Sequence, residues 1–531
     1  MNTPLFGHNI SKVNWSNQNL SRHRFHVWNF GVILIAVFLL VTNARGQSLR
    51  FAWSGYGHSA QHDAISAVAS QPLQRILWQT PVDLNPQYSG TSLLIHYGSP
   101  LVTRSNTVIV PVKTGATNGF RIEALAGVIG KTNWMRSSDY LLPPHNWVPS
   151  FSPTLTPQNR LYFPGGGGTL YYCDTPDTTN ASPVFGQMAF YGLTNYFANT
   201  NAYLTNVFIN TPLTSDRYGN IFFGFQVTGS TPLNLQSGLA RIDSDGTATW
   251  IYAANATGDT GIAKVALDCA PGLSNDHKTL YVAMNSGNLG YGYLVALDSR
   301  TLAPLASVRL KDAANTGLSA RLSDNGTASP TIGPDGDVYY GVFETPSNSN
   351  NRRGWLLHFN STLTQTKLPG AFGWDDTASI VDSSLVASYH GSSSYLLMTK
   401  YNNYAGSGGD GVNKLAVLDP NESMTDPISG ATVMKEILTI AATTPDAGRT
   451  NNYPNAVREW CINTAAVDPF TKSILANNED GKFYRWDLTS NTFSETNVLT
   501  VGIGEAYTPT VIGSDGIVYA INNGTLFAVG Q

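Results

Sequence analysis

Polar and aromatic residues occur together at four places in the sequence, and each place is a candidate for a ligand or metal site. They are Trp374-Asp375-Asp376, Arg458-Glu459-Trp460, Glu505 with Tyr507, and His145 with Trp147. Adjacent carboxylates supply the oxygen ligands that Ca²⁺ prefers. An indole or phenol ring beside them offers a flat surface on which a planar ligand can stack. These residues form the predicted binding site.

Each of these groups also has a purely structural interpretation, and the sequence does not decide between the two. Trp374-Asp375-Asp376 fits a solvated turn whose indole packs on a neighbouring sheet. Arg458 and Glu459 fit an internal ion pair beside a packed Trp460, and Glu505 fits an ordinary loop carboxylate. The sequence contains no CxxC pair, no HExxH helix and no G-x-S-x-G elbow. It therefore predicts no confident metal site and identifies no catalytic residue.

The composition restricts both the fold and the type of ligand. Only 12% of the residues are charged, which is about half the usual share. This low charge argues against a nucleic-acid binder, a coiled coil and a disordered chain. The 50 glycines and 28 prolines disfavour long helices. A β-rich globular protein remains.

A repeated phrase runs along the chain after the first hundred residues. It consists of a small residue, often a proline, a short apolar strand, a turn, and a second strand with an aromatic centre. Clear copies begin at Ser152, Ser329 and Thr508. The centre of the second strand falls at Ile109, Tyr162, Phe222, Tyr281, Tyr339, Leu396, Leu475 and Tyr519. A spacing of roughly 59 residues, with about four short strands in each repeat, predicts an eight-bladed β-propeller. Seven blades would follow if the copy around Leu396 or Leu475 were not a blade.

The two ends of the chain predict how the ring closes. The last copy stops after its third strand at Phe527–Val529, whereas Ile76–Val82 reads as a strand with no copy of its own. We expect this N-terminal strand to complete the last blade, because a closed ring leaves no exposed sheet edge. The loops that join one blade to the next should then converge on one face. They cover residues 137–151, 370–377, 448–463 and 502–508, and they contain every candidate site residue.

The first 46 residues predict export. Basic residues at Arg22 and Arg24 precede an apolar run, Phe30–Val41, and Ala44 and Gly46 suit a signal peptidase. An uncleaved N-terminal anchor is the alternative, although twelve apolar residues are short for a bilayer span. We expect a signal peptide over 1–46, a lead-in segment over 47–75 and one propeller domain over 76–531. The mature chain should be a monomer in the periplasm or outside the cell, with no further membrane span.

The three cysteines are far apart in the sequence. Cys173, Cys269 and Cys461 allow either one disulfide with one free thiol or three buried thiols. They do not support a disulfide-stapled scaffold. The choice between the first two arrangements stays open at this point.

The repeats resemble those of the quinoprotein alcohol dehydrogenase-like superfamily, also called the pyrroloquinoline-quinone-like propellers. Asp515-Gly516-Ile517-Val518-Tyr519 resembles its D-G-x-V/L-Y strand, and Leu294-Val295-Ala296-Leu297-Asp298 resembles its L-x-A-L-D strand. Gly130-Lys131-Thr132-Asn133-Trp134 resembles its T-G-K-x-x-W turn. The segment from Trp53 to Ser59 is similar to the lead-in ahead of the first blade. The resemblance implies the propeller fold over about residues 51–531, with pyrroloquinoline quinone and calcium as conceivable cofactors.

The resemblance leaves several functions open, because the superfamily includes both dehydrogenases and assembly-factor scaffolds. The vicinal Cys-Cys pair of the quinone enzymes and a CxxCH haem motif are both absent from this sequence. The first interpretation is a non-catalytic binding or scaffold module at the cell envelope or outside it, with an unknown protein or carbohydrate ligand. The alternatives are a quinone- and calcium-dependent oxidoreductase acting on an alcohol or sugar, and a carbohydrate-active propeller. Nucleic acid is not an expected partner.

Overall fold

The structure is an eight-bladed β-propeller built from small antiparallel sheets. This computed structural model describes residues 52–90, 92–116, 118–144, 150–179 and 183–531. The predicted signal peptide, His145 and Trp147 lie outside these residues. Each of the eight residues that mark the repeat lies in the second strand of a blade, counted from the axis outwards. The prediction of eight blades is therefore confirmed, including the copies around Leu396 and Leu475.

In four blades, four regular strands follow one another along the chain from the inner to the outer edge. Blade 1 consists of Leu101–Val102, Thr107–Lys113, Asn118–Ala126 and Thr132–Leu141; blade 2 of Thr154–Leu155, Leu161–Pro164, Thr169–Cys173 and Phe185–Ala189; blade 6 of Ser379–Asp382, Tyr395–Tyr401, Lys414–Thr425 and Thr432–Ala441; and blade 7 of Ala466–Asp468, Ser473–Asn477, Lys482–Asp487 and Thr492–Val498.

Three blades depart from this pattern at an edge. In blades 3 and 4 two short segments share the inner edge, whereas the outer edge of blade 5 holds only isolated bridges, from Leu356 to Gly370 and from Phe359 to Thr366. Blade 3 consists of Val207–Ile209, Thr214–Ser215, Ile221–Val227, Gly238–Ile242 and Ala248–Tyr252; blade 4 of Lys264–Val265, Gly272–Leu273, Thr279–Asn285, Gly292–Asp298 and Pro304–Arg309; and blade 5 of Thr331–Ile332, Val338–Val342 and Trp355–Phe359.

Few other regular elements occur among the described residues. They are a small hairpin of Tyr88–Ser89 and Ser92–Leu93, the α-helices Leu193–Ala198, Thr200–Asn206 and Ala253–Thr257, and the 3₁₀ turns Gly166–Gly168 and Ser383–Leu385. No helix in the described ranges is both long enough and apolar enough to cross a membrane.

Blade 8 closes the ring by joining the two ends of the propeller. Its strands, from the axis outwards, are Val511–Ile512, Val518–Asn522, Thr525–Gly530 and Arg75–Pro81. The N-terminal strand pairs antiparallel with Thr525–Gly530, with Trp78 opposite Ala528. The predicted closure by an N-terminal strand is confirmed.

The burial pattern explains the low charge of the sequence. Middle strands such as Val338–Val342 are buried along their whole length, because both faces of the sheet pack against neighbouring blades. Outer strands such as Thr492–Val498 alternate between exposed and half-buried positions. Charged side chains therefore find room mainly on outer strands and in loops.

The lead-in segment follows the inner edges of successive blades around the axis. The backbone N–H groups of Leu273, Ile332, Ile380 and Val467, in blades 4 to 7, donate to carbonyls of residues 60, 61, 63 and 64 at 2.7–3.0 Å. These N–H groups would otherwise face the axis without a partner in a sheet. The lead-in thus satisfies the inner sheet edges and is part of the propeller core.

Candidate functional site

Eight of the predicted site residues, Trp374 and Trp460 among them, lie in three consecutive inter-blade loops on one face of the propeller. Asp375 and Asp376 precede the inner strand of blade 6, Arg458 and Glu459 precede that of blade 7, and Glu505 and Tyr507 precede that of blade 8. Three further residues connect them: Lys400, Cys461 and Glu479. We call Asp375, Asp376, Lys400, Glu459, Cys461, Glu479 and Glu505 the acidic cluster.

Lys400 and the two aspartates form the part of the acidic cluster nearest blade 6. Lys400 lies near the end of the second strand of that blade, and its Nζ lies 2.9 Å from Asp375 Oδ2. Asp376 accepts hydrogen bonds from the Thr399 hydroxyl and, at 3.1 Å, from the Lys400 backbone N–H. All three charged side chains are almost completely buried. A buried ammonium therefore faces two buried carboxylates.

Burial and charge act in opposite directions on these groups. Burial raises the pKa of Asp375 and brings that of Asp376 to about 7, although the Lys400 ammonium opposes both shifts. Burial on its own would lower the pKa of Lys400, but the two aspartates reverse this effect and raise it above its usual value. The two aspartates therefore favour the charged form of Lys400.

Two aromatic rings flank the Lys400 ammonium. Its Nζ lies 5.1 Å from the centre of the Tyr507 ring and 5.8 Å from that of Phe372. Both distances are within the range of cation–π attraction. Of the predicted aromatic residues, Tyr507 is thus the one that contacts the cluster through its lysine.

Three glutamates and a cysteine form the other part of the acidic cluster. Glu479 lies in the turn after the second strand of blade 7, where its Oε1 accepts the Glu459 backbone N–H at 3.0 Å. Its Oε2 lies 3.4 Å from the Cys461 thiol. The Glu505 carboxylate also interacts with this thiol, and its Oε2 is buried without a hydrogen-bond partner. Burial raises the pKa of Glu459 and of Glu505 to about 8, and the neighbouring carboxylates add to both shifts.

Arg458 reaches this part of the cluster from its edge. Its Nη1 lies 3.4 Å from Asp446 Oδ1 and 3.9 Å from Glu479 Oε1. The internal ion pair between Arg458 and Glu459 that the sequence suggested is wrong: Arg458 instead lies against Asp446 and Glu479. The Lys400 ammonium opposes the raised pKa of Glu459 and of Cys461, and the Arg458 guanidinium opposes that of Glu479.

The two predicted tryptophans pack against other aromatic side chains. One face of Trp374 stacks on Phe343 with ring centres 4.1 Å apart. Trp460 is completely buried and contacts Tyr484 and Phe493. For both indoles the structure agrees with the packing interpretation.

All three cysteines are buried free thiols. This decides between the two arrangements that the sequence left open, since no disulfide links Cys173, Cys269 or Cys461. Among them, Cys461 is the thiol that lies within 4.8 Å of carboxylate oxygens from two glutamates, Glu459 and Glu479.

Sequence patterns indicate little about the three connecting residues. Lys400 follows an apolar strand, where a lysine usually marks the solvated end. Glu479 belongs to an Asn-Asn-Glu-Asp-Gly turn, which is typical of an exposed loop. Cys461 directly follows the predicted Arg458-Glu459-Trp460 group, so its position beside that group is the one usable signal.

Comparison with solved structures supports the resemblance found in the repeats. A europium-containing methanol dehydrogenase superposes with a TM-score of 0.54 at 10% identity, covering 91% of both chains. The quinohemoprotein alcohol dehydrogenase of Comamonas testosteroni gives 0.52 at 10% identity, covering 93% of this chain and 82% of the enzyme. A quinohemoprotein alcohol dehydrogenase of Pseudomonas putida gives 0.52 at 11%, covering 90% and 76%. No protein-family model and no curated protein matches the chain.

The aspartate–lysine part of the acidic cluster does not fit a bound quinone. Asp375, Asp376 and Lys400 are each 2% exposed or less, so they present almost no surface to a ligand. A planar tricyclic cofactor needs an open slot beside the groups that hold it. One face of Trp374 is already covered, and Trp460 is fully enclosed by packing. These residues stabilise one another instead of presenting their charges to a cofactor.

Proposed function

We propose that this chain, which has the fold of the quinoprotein alcohol dehydrogenases, is an exported, non-catalytic module that binds a protein partner. The observation that carries the proposal is the almost complete burial of Asp375, Asp376 and Lys400. A redox or hydrolytic site must let substrate touch its acid, base or electrophile, and Asp375, Asp376 and Lys400 have almost no accessible surface to offer. Export is supported by the apolar run Phe30–Val41.

The binding surface that we propose lies beside the acidic cluster, over blades 7, 8 and 1. Leu84 and Tyr88 follow the outer strand of blade 8, and Val501 and Ile503 follow that of blade 7. All four side chains are exposed, Val501 to 98%. We call these four residues the apolar rim.

The two segments of the apolar rim meet at the turn that connects the second and third strands of blade 8. The backbone N–H groups of Val82 and Asp83 donate to the Gly524 carbonyl at 2.8 and 3.2 Å, and the Asn523 N–H donates to the Glu505 carbonyl at 3.2 Å. Exposed apolar side chains grouped on a folded surface are typical of protein interfaces. Three of the four rim residues are aliphatic, which favours a protein partner over a carbohydrate, because carbohydrates are usually held by stacked aromatic rings.

The protein-binding proposal can be tested by site-specific photocrosslinking in the producing cell. A photoreactive amino acid placed at Val501 should give a discrete adduct, and the additional substitution Tyr88→Asp should abolish it. The matched control position is Phe197, which is 64% exposed on a helix beside blade 2. Equal adducts at both positions, or no adduct at Val501, would contradict a specific interface at the rim.

The oxidoreductase alternative is tested by reconstituting the purified mature protein with pyrroloquinoline quinone and calcium. We expect no change in the quinone absorbance and no dye reduction with a panel of alcohols and aldoses. Stoichiometric quinone binding that Asp375→Asn abolishes would overturn the non-catalytic assignment.

A further inference from the structure

We infer that Glu459, Cys461, Glu479 and Glu505 form a binding site for one divalent transition-metal ion of the Zn²⁺ class. The inference goes beyond the proposed protein-binding function and does not depend on it. It rests on three independent observations: the spacing of the donor atoms, an unpartnered buried carboxylate oxygen, and the balance of charge around them.

The donor atoms already have nearly the spacing of metal ligands. Bond lengths of about 2.3 Å for Zn–S and about 2.1 Å for Zn–O place two tetrahedral ligand atoms about 3.5 Å apart. The Cys461 thiol lies 3.4 Å from Glu479 Oε2. The ligand atoms of Glu459, Cys461 and Glu479 all lie within 4.8 Å of one another, the one such group of three among the described residues. Small side-chain rotations would bring all three into one coordination sphere.

Glu505 supplies the fourth donor, although its carboxylate lies outside the group of three ligand atoms that are within 4.8 Å of one another. Its carboxylate interacts with the Cys461 thiol, while its Oε2 has no hydrogen-bond partner. The residue is almost fully removed from solvent, since only 6% of its surface is exposed. A buried carboxylate oxygen without a partner costs free energy, and a cation at this position would satisfy it. The donor set of one thiolate and three carboxylates would then be complete.

The charges around the site also favour a dication. Lys400 is already held by Asp375 at 2.9 Å, and Arg458 approaches Glu479 only to 3.9 Å while it also contacts Asp446. Three carboxylates and a thiol thus face one peripheral guanidinium and an ammonium that is already paired with Asp375. Buried acidic groups that lack a counter-charge are strongly disfavoured unless they bind a metal or stay protonated.

The thiol decides which class of metal fits. Ca²⁺ and Mg²⁺ prefer sites made only of oxygen ligands, whereas a thiolate selects softer ions such as Zn²⁺ and Co²⁺. Arg458 and Glu459 are half-buried, so the site reaches the surface of the loop face at this point. An ion can therefore enter without the blades having to separate.

Titration of the chelator-treated mature protein with Co²⁺ tests the site, because Co²⁺ bound to a thiolate gives a charge-transfer band in the near ultraviolet. We expect one equivalent to bind with this band and to be displaced by Zn²⁺ but not by Ca²⁺. Cys461→Ser should abolish the band, and Glu505→Gln should keep it while weakening Co²⁺ at least tenfold. Cys269→Ser, at another buried free thiol, is the matched control and should change neither property.

Several results would overturn the inference. They are a band that persists in Cys461→Ser, Co²⁺ affinity that Glu505→Gln leaves unchanged, or displacement of Co²⁺ by Ca²⁺ at equal concentration. If Cys461→Ser fails to fold, Glu479→Gln takes its place and must lose at least tenfold in Co²⁺ affinity. Unchanged affinity in a folded Glu479→Gln protein would equally exclude the site.

Discussion

Two buried aspartates, Asp375 and Asp268, occupy the same position of the repeat in blades 6 and 4 but have different surroundings. Each lies five residues before an inner-strand residue, Ile380 or Leu273, that pairs with the second strand of its own blade. The pairing partners are Leu397 in blade 6 and Leu280 in blade 4. Three residues after them stand Lys400 and Ala283, respectively. The second strand therefore supplies an ammonium for one aspartate and only a methyl group at the equivalent position for the other.

The two aspartates consequently differ in what opposes the effect of burial. Asp268 is completely buried, neither of its carboxylate oxygens has a hydrogen-bond partner, and burial raises its pKa well above the usual range. Burial therefore favours its neutral form, with no cation to oppose it. Asp375 keeps an ion pair with Lys400 at equal burial. One repeat position can thus hold a charge or suppress it, depending on a single residue of the adjacent strand.

Removing the lysine should have the largest effect on stability. Lys400→Met leaves Asp375 and Asp376 buried without their cation, which should lower the free energy of unfolding by about 3–5 kcal/mol. Urea denaturation measures this loss. The matched control is Lys278→Met, because the Lys278 side chain is 80% exposed beside Asp276 and should contribute less than about 0.5 kcal/mol. A loss below about 1 kcal/mol for Lys400→Met would show that the aspartates are neutral like Asp268.

His62 in the lead-in segment shows that the same suppression of charge applies to a base. Its Nδ1–H donates to the Pro330 carbonyl at 2.7 Å, its Nε2 has no partner, and burial lowers its pKa to about 4. The unfolded chain takes up this proton below about pH 6.5 and the folded protein does not. Above about pH 6.5, neutral His62 therefore does not reduce the free energy of unfolding. As the pH falls towards 4, that free energy decreases by about 3 kcal/mol, because the unfolded chain binds a proton that folded His62 does not.

His62→Gln isolates this contribution. Asp376 acts in the opposite direction over the same pH range, because its raised pKa lowers stability as the pH rises towards 7. The quantity to measure is therefore the difference in unfolding free energy between wild type and His62→Gln at several pH values. As the pH falls from about 6.5 to about 4, we expect wild type to lose stability relative to His62→Gln. A difference that does not vary with pH would mean that folded His62 titrates normally.

The aspartates themselves should respond unequally to the same substitution. Asp375→Asn removes a partner of a buried lysine and should cost about 2 kcal/mol, since Asp376 remains nearby. Asp268→Asn replaces an acid whose charged form burial disfavours with a neutral amide, and it should be at least as stable as wild type. Because the raised pKa of Asp268 makes the wild type lose stability as the pH rises above about 4, the advantage of the variant should grow from pH 4 to pH 8. Equal losses for both variants in urea denaturation would contradict the difference in protonation.

The difference between these aspartates also shows how far the sequence could predict the molecule. The eight blades and their closure were predictable, because strand spacing and turn residues repeat in every copy. The irregular outer edge of blade 5 was not, although Pro369 lies there and lacks the N–H that a regular strand would use. The repeat phase also indicated that Asp375 and Glu505 share a face of the ring.

The chemical state of the candidate site was not predictable from the sequence, because it depends on contacts between blades. Lys400 looks like a solvated strand end, and its burial comes from loops of the next blades. The sequence likewise does not show that Trp374 stacks on Phe343 or that Cys461 lies between Glu479 and Glu505. Only packing brings these residues together.

The smallest expected effect is the contribution of the aromatic ring beside Lys400. The distance of 5.1 Å between the Lys400 Nζ and the Tyr507 ring centre corresponds to a cation–π contact of about 1 kcal/mol. A double-mutant cycle of Lys400→Met and Tyr507→Leu, followed by urea denaturation, should give a coupling of that size, because the cycle cancels the other contacts that each side chain loses. Phe190→Leu, in the separate core of blades 1 to 3, should show no coupling to Lys400→Met. A second cycle of Lys400→Met with Asp375→Leu measures the coupling between the ammonium and the carboxylate. If that coupling were no larger than the coupling to Tyr507, the ring and the carboxylate would stabilise the ammonium equally. The ion pair with Lys400 would then not explain why Asp375 differs from Asp268.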